Sequence, residues 1–314
     1  MLRTFTMNKQ PEKRLISLPG EGPEDVVADN DGNLIVGVKD GRILRVNPRT
    51  GSAVELVRTS GRPLGLEVLP DGRILICDSP AGLLEFNPSD GRVNLLADRY
   101  QEQRLGFCSN VVSASDGTIY FSTTTDRYTF DDWMKDVIEH IPTGRVFRRY
   151  VDGRVEMLLD GLYFANGLAL ARDQSWIIVA ETTACRLTRL WLKGEKAGMR
   201  EVFAELPGYP DNCSVTDDGK VWVAVCAPRD PEIERIHEMP LSEREAAARR
   251  DPELQPVPQY VAWAMTFDQD AKLVGDYRWD DGAYGMVTGV CQVGDTVYLS
   301  STVGASIMAF DILS

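Results

Sequence analysis

The amino-acid sequence predicts an all-β fold: a six-bladed β-propeller closed by an N-terminal strand, with short helical excursions on one face. Three observations carry this. A strand, a tight turn and a second strand recur six times, as GPEDVVADNDGNLIVGV, GRPLGLEVLPDGRILICD, FCSNVVSASDGTIYFST, FANGLALARDQSWIIVA, YPDNCSVTDDGKVWVAV and MVTGVCQVGDTVYLSST. Four of these copies place a literal Asp-Gly between the strands, a strong hairpin signal. Long segments of 3.6-residue period are missing between the copies, which rules out coiled-coil and α/β organisation.

Taken in order, RLISLP near the start supplies the fourth strand of the last blade, which shows three strands before the chain ends at SIMAFDILS. That pairing closes the ring and removes the sheet edges. Blades one, two and three open near Glu24, Leu64 and Ser109, spacings of 40 and 45 residues, within the usual ~40–50 of a blade. Each continues into a third strand (GRILRVNP, GLLEFNPS, GRVFRRYV) and a fourth (AVELVR, VNLLAD, VEMLLD), the four-stranded blade unit. Blades four and five open near Asn166 and Asp211, and blade six near Thr288. Two intervals are longer. The middle of TTTDRYTFDDWMKDVIEHIPTG reads as a short helix, and PRDPEIERIHEMPLSEREAAARRDPELQP carries a Ser-Glu-Arg-Glu helix start with proline punctuation. Both excursions are expected to leave one face of the propeller and roof its channel. The chain then forms one domain over residues 1–314, with residues 1–14 as a flexible leading segment.

In a propeller the first strand of each blade lines the central channel, so residues at its start converge from all blades. Counting back seven from the Asp of each turn gives Glu24, Leu64, Ser109, Asn166 and Asp211, and the shorter turn of blade six brings Val287 or Thr288 there. One Asp, Asn or Glu beside a turn is ordinarily a cap or a solvated side chain. Here oxygen-bearing side chains occupy the equivalent place in four of the first five blades, among apolar or small neighbours. Two carboxylates turned into a narrow channel repel and lose hydration unless a cation sits between them. An all-oxygen set with two formal negative charges suits one hard divalent cation, calcium ahead of magnesium because it tolerates irregular geometry.

Composition narrows the partners. The 314 residues are 43% hydrophobic and 26% charged, with a net charge of −13, opposite to what phosphate recognition needs, so nucleic acid is not an expected partner. No stretch approaches the ~18 consecutive apolar residues of a membrane helix, and the first residues, MLRTFTMNKQPEKR, hold no apolar run of a signal peptide. The six cysteines (Cys77, Cys108, Cys185, Cys213, Cys226, Cys291) form no CxxC pair, which reads as buried free thiols in a reducing cytoplasm. With two histidines, His140 and His237, a His-rich zinc site is excluded.

The motifs GPEDVVAD, GRPLGL, DGTIYF, PTGRVFRR, GLYFANGLAL, VAET followed by CRLTRLWLKGEKAG, and LPGYPDN resemble the strictosidine synthase-like branch of the gluconolactonase, senescence-marker and paraoxonase superfamily, from about Leu15 to Ile312. The resemblance implies a six-bladed propeller with a channel cation held by Glu, Asn and Asp of separate blades, which map onto Glu24, Asn166 and Asp211. Two positions depart from it. Metal-bearing relatives place Asn before Asp in blade three, where this chain has Ser109-Asn110, so the fourth ligand is open between Ser109, Asn110 (if the strand bulges) and water. The catalytic Glu of plant strictosidine synthases maps onto Thr288, which argues against amine–aldehyde condensation.

The resulting expectation is a metal-dependent hydrolase of a lactone or other carboxylic ester, with the cation as Lewis acid and Asp211 as general base, nucleophile or pure ligand. Arg62, Tyr128, Trp133, Phe164, Tyr209, Trp263, Met286 and Thr288 are the candidates to bind a small-molecule substrate around the channel mouth. Two other classes compete: a non-catalytic propeller whose ion ties the blades, and a biosynthetic enzyme using the same pocket for a non-hydrolytic step.

Overall fold

The computed structural model describes residues 10–250 and 260–312. Six antiparallel four-stranded sheets follow one another along the chain. Blade one is Val26–Ala28, Leu34–Gly37, Arg42–Val46 and Ala53–Arg58. Blade two is Arg62–Val68, Ile74–Ser79, Gly82–Asn87 and Arg92–Ala97. Blade three is Cys108–Ser113, Ile119–Thr123, Gly144–Arg149 and Val155–Leu162. Blade four is Ala165–Leu170, Trp176–Glu181, Arg186–Trp191 and Arg200–Glu205. Blade five is Gly208–Val215, Val221–Pro228, Ala262–Phe267 and Leu273–Trp279. Blade six is Val287–Val293, Thr296–Ser301 and Ser306–Asp311, completed by Lys13–Ser17, with Lys13 opposite Phe310 and Ser17 opposite Ser306. A small hairpin, Arg99–Tyr100 with Gln103–Arg104, links blades two and three; its strands are too short for a sequence pattern to mark.

The first hairpin of each blade turns through a residue with positive φ. Gly32, Gly72, Gly117, Gly219 and Gly294 take that place in five blades, and Gln174 (φ 58°) takes it in blade four. In blades two, three and four the Asp before it accepts the backbone N–H two residues on: Asp71 Oδ1 from Arg73 N at 3.2 Å, Asp116 Oδ1 from Thr118 N at 2.9 Å and Asp173 Oδ1 from Ser175 N at 2.9 Å. Alternating apolar residues of the strands then meet between blades. Each of the six blade–blade junctions holds its own buried cluster, such as Trp176, Ile178 and Phe203 of blade four against Val223, Met265 and Phe267 of blade five.

Two points differ from the sequence expectation. The closing strand starts at Lys13, inside the segment expected to be flexible, because Ile16 fills the cluster between blades six and one; residues 1–9 of that segment lie outside the described residues. Among the described residues the longer excursion holds two helices rather than one. After α1 (Trp133–Glu139) come α2 (Pro231–His237) and α3 (Leu241–Arg250). The Asp230-Pro231-Glu232 run starts α2, with Asp230 Oδ1 accepting from Glu232 N at 2.8 Å and proline in the first turn. No helix among the described residues is long and apolar enough to cross a membrane.

The three helices roof one end of the channel. Met134, Val137 and Ile138 of α1 and Ala248 of α3 bury against Leu64, Phe107 and Phe164 at the tops of blades two, three and four. Polar ties hold the roof. Glu139 accepts from Tyr128 Oη at 2.6 Å and from Arg127 Nε at 2.9 Å, while Arg244 Nη1 donates to His140 O at 3.0 Å. His140 and His237 stack with ring centroids 3.8 Å apart. Burial pushes the His140 imidazole down to about 3, so it is a neutral packing element.

Candidate metal centre

One irregularity of the inner strands builds the site. In blades two to six the pairing with the second strand shifts register between Pro63 and Leu66, Cys108 and Val111, Ala165 and Leu168, Pro210 and Cys213, and Val287 and Gly289. Each shift is a β-bulge, which re-aims side chains and is common beside functional sites. The residues first in these bulges are Leu64, Ser109, Asn166, Asp211 and Thr288, and Glu24 just ahead of Val26–Ala28 takes the same place in blade one. These are the residues found by counting back from the turns, and all six are buried.

Hydrogen bonds run from blade to blade through them. Ser109 Oγ donates to Asn166 Oδ1 at 3.0 Å, and Asn166 Nδ2 donates to Thr182 Oγ1 at 3.3 Å. Glu24 Oε1 accepts from Asn212 Nδ2 of blade five at 3.2 Å. Thr288 Oγ1 and Ser300 Oγ, both of blade six, donate to Glu24 O at 2.6 and 2.8 Å and fix the backbone of that residue.

Directly beneath lies a second ring that counting one position per blade missed. The next residues are Asp25, Gly65, Asn110, Gly167, Asn212 and Gly289: a polar side chain in each odd blade and a glycine in each even one. The glycines are required by close approach. A Cβ on Gly65 would lie 2.5 Å from Asn110 Cα, one on Gly167 2.5 Å from Asn212 Cα, and one on Gly289 2.7 Å from Asp25 Oδ1. Into that space Asp25 Oδ2 accepts from Leu66 N at 2.9 Å and Asn110 Oδ1 accepts from Leu168 N at 3.0 Å. Asn110 Nδ2 also donates to Asn212 Oδ1 at 2.9 Å, so its amide serves this ring while Ser109 faces Asn166. The alternation of Asp or Asn with Gly is the signal that would have revealed it.

The electrostatics are those of two carboxylates held too dry and too close. Burial, then Asp211 and Asp25, push the Glu24 carboxyl well above its ordinary range, against a smaller opposing pull from Arg62. Burial and Asp25 do the same to Asp211, opposed by the Asn166 amide. Burial raises Asp25 to about 6. Glu24 Oε2 and Asp211 Oδ1 are buried with no hydrogen-bond partner among the described residues. Unpartnered anionic oxygens beside an amide oxygen and a hydroxyl fit a hard divalent cation, which neutralises the pair and fills the vacant acceptor directions. Glu24, Asn166 and Asp211 would hold it, with Ser109 beside them.

The substrate-binding candidates separate by position. Arg62 is buried next to Glu24, donates Nη2 to Gly22 O at 2.7 Å, lies 5.4 Å from the Phe130 ring centroid and leaves Nε and Nη1 unpartnered among the described residues. Phe164 and Trp133 pack in the roof, and the Tyr128 hydroxyl is taken by Glu139. Tyr209 Oη accepts from Asp230 N at 3.0 Å and ties α2 to blade five. Met286 is half-buried ahead of the inner strand of blade six. Thr288 is turned to the backbone of Glu24. Trp263 is a correction: it sits on the third strand of blade five, in the core shared with blade four, and its Nε1 donates to Asp276 Oδ1 at 2.7 Å. Its place in the alternating pattern of that strand points it into the blade junction, away from the channel mouth.

Comparison with known proteins agrees with this architecture. The strictosidine synthase family model matches residues 110–195, and the model for the N-terminal part of strictosidine synthase-like proteins matches residues 13–46. Protein strictosidine synthase-like 10 of Arabidopsis thaliana is 37% identical over 239 residues, covering 68% of this chain and 64% of that protein. The adipocyte plasma membrane-associated protein of Danio rerio is 33% identical over 236 residues, covering 69% of this chain and 55% of that protein. The chain thus spans less than two thirds of the length of these relatives. Among solved structures, a gluconolactonase from Xanthomonas campestris superposes with a TM-score of 0.70 at 18% identity, over 95% of this chain and 89% of that one. A calcium-binding regucalcin from Agrobacterium tumefaciens superposes with a TM-score of 0.67 at 14% identity, over 96% and 93%. At such identities these two speak for the fold alone. With both family models and the plant relatives in agreement, the chain belongs to the strictosidine synthase-like family.

Proposed function

We propose that this protein is a metal-dependent hydrolase of a lactone or other carboxylic ester, acting on a small molecule through one divalent cation, calcium by preference, at Glu24, Asn166 and Asp211. The observation that carries the proposal is the pair of buried carboxylates, each with an oxygen that no group among the described residues satisfies. A relative named for gluconolactone hydrolysis and another named for calcium binding share the fold, which supports the reading at the level of architecture.

Bound there, the cation supplies Lewis acidity toward a carbonyl oxygen. The protein's own groups do the remainder. Asp211, once ionised, would serve as general base toward a water if a carboxylate oxygen stays clear of the ion, and otherwise as a ligand alone. Arg62 presents its two unpartnered nitrogens, Nε and Nη1, beside Glu24 and would orient a carbonyl or carboxylate oxygen of the substrate. Thr288 and Ser300 hold the Glu24 backbone so that its carboxylate does not swing away. Thr288 offers no carboxyl for amine–aldehyde condensation, which sets that chemistry aside.

The test is turnover of a panel of lactones, aryl esters and phosphotriesters before and after chelation. Activity is expected to vanish in chelator and return with calcium, and Asp211→Asn is expected to lower kcat by about 10²–10⁴-fold. Calcium binding without turnover of any panel member would favour a second reading, an ion that only ties the blades. The helical roof over Leu64 and Phe164 is the observation on that side.

A further inference from the structure

The channel has a second mouth, on the face away from the helices. There the far ends of the inner strands enclose a cavity of about 830 Å³, within the ~300–1,000 Å³ of small-molecule sites. Val27, Leu66, Val111, Leu168, Val215 and Val290 form the apolar part of its wall, and Asp25 and Asn110 of the second ring also line it. Two polar groups in this wall lack partners among the described residues: Glu67 Oε2 from blade two and Ser214 Oγ from blade five, both buried. Glu67 Oε1 accepts from Ser113 Oγ at 3.0 Å, which fixes the carboxyl against blade three.

The arginines at the rim are engaged elsewhere and leave this carboxyl unpaired. Arg73 pairs with Asp71 and Glu85. Arg149 donates to Leu96 O and Tyr150 O, and Arg172 to Thr216 O, Val215 O and Asp217. A buried carboxylate oxygen without a partner is costly, and a cation brought by a ligand removes that cost. Burial accordingly lifts the Glu67 carboxyl to about 7.

We propose that this second mouth is a binding site for a small organic amine, with the ammonium group on Glu67 and Ser113, an apolar body along the valine and leucine walls, and Ser214 opposite for a further polar substituent. Glu67 belongs to neither ring of the metal centre, although the cavity also reaches Asp25 and Asn110 of the second ring. An ammonium donates to both oxygens of Glu67, whereas an alcohol of the same shape brings a hydroxyl and no charge.

Benzylamine and benzyl alcohol test this on the unmodified full-length protein by calorimetry at pH 8. Benzylamine is expected to bind at least about tenfold more tightly than benzyl alcohol, and Glu67→Gln is expected to abolish the difference while the melting temperature stays near that of the parent. Chelator and Asp211→Asn are expected to leave benzylamine affinity unchanged, which separates this site from the ion end. Equal affinity for the two compounds would overturn the proposal without reference to any variant. So would benzylamine binding that survives Glu67→Gln or is lost on chelation.

Discussion

Ser109 is the single side chain at which the proposed cation site is most directly tested. Its hydroxyl donates to Asn166 Oδ1, so it occupies the amide oxygen that an ion would otherwise use. An amide carbonyl at this position offers a hard cation a better oxygen than a neutral hydroxyl does and reaches further. Ser109→Asn is therefore expected to tighten calcium binding about tenfold, about 1.4 kcal/mol, read by calorimetric titration, and to raise Tm at limiting calcium by mass action. Unchanged affinity would show that this side chain does not face the ion; weaker affinity would show a site built around the smaller residue. Glu24, Asn166 and Asp211 were legible in the sequence because the turns fix a common origin and the bulges repeat at one distance from it. Trp263 was misplaced because large aromatics are equally at home in a blade junction and at a channel mouth. Glu67 was illegible because a carboxylate near the end of a strand reads as solvated until the channel around it is seen.

At the scale of the element, the inner strand is the unit on which the channel depends. Its bulge places one residue toward the channel axis and the next toward the neighbouring blade, and the even blades need glycine in the second place. Gly167 is a sharp case, since an added Cβ would meet Asn212 Cα, Asp211 O and Cys213 N, each at 2.5 Å. These are backbone atoms that cannot rotate away. Gly167→Ala is expected to cost about 3 kcal/mol, about 4–5 °C in Tm for a chain of this size, and to weaken calcium binding because Asp211 moves. A thermal shift under 1 °C would mean that the two strands separate easily. The hairpin of blade four gives the opposite sign. Gln174 takes the left-handed conformation that glycine takes in the sister blades, at φ 58°, and its side chain reaches only Ser115 Oγ. Gln174→Gly is expected to stabilise by about 1 kcal/mol, about 1.5 °C, and a fall in Tm would show that the contact with Ser115 outweighs the backbone strain. The hairpins were legible from Asp-Gly alone, while α2 was not: its seven residues are too few for a helical period, and the Asp230 cap carries the signal instead.

The whole molecule was legible because its repeats constrain one another: six inner strands require six sheets, and three terminal strands require RLISLP to return as the fourth. The pH dependence of stability also belongs to the whole, since it sums groups on every blade. Two populations of carboxylates act in different windows. Surface groups such as Asp71, Asp116 and Asp218 are lowered, first by hydrogen bonds from Arg73, Thr118 and Lys220 respectively. Their contribution is present above the unfolded value of about 4 and is lost as pH falls below it. Buried groups behave oppositely. Glu24 and Asp211 are raised well above the ordinary range, Asp25 to about 6, and Glu67 and Asp136 to about 7, with burial the first cause in each. Between pH 4 and 7 the folded chain therefore holds protons that the unfolded chain has released. Stability from this population is full below about pH 4 and is lost as pH rises through the folded values. In chelator, Tm is accordingly expected to decline from about pH 4.5 to pH 8. If calcium binds the ionised forms of Glu24 and Asp211, as proposed, it competes with their protons and is expected to reverse part of this decline. The quantity to measure is the difference in Tm between excess calcium and chelator at each pH. It is expected to be small near pH 4.5, where both carboxyls stay protonated, and to grow steadily toward pH 8. Asp25, Glu67 and Asp136 remain as a residual slope that calcium does not remove. A calcium effect of constant size would place the ion on groups that do not titrate in this range. No effect at pH 8 would remove the cation from the channel and the proposed hydrolase with it.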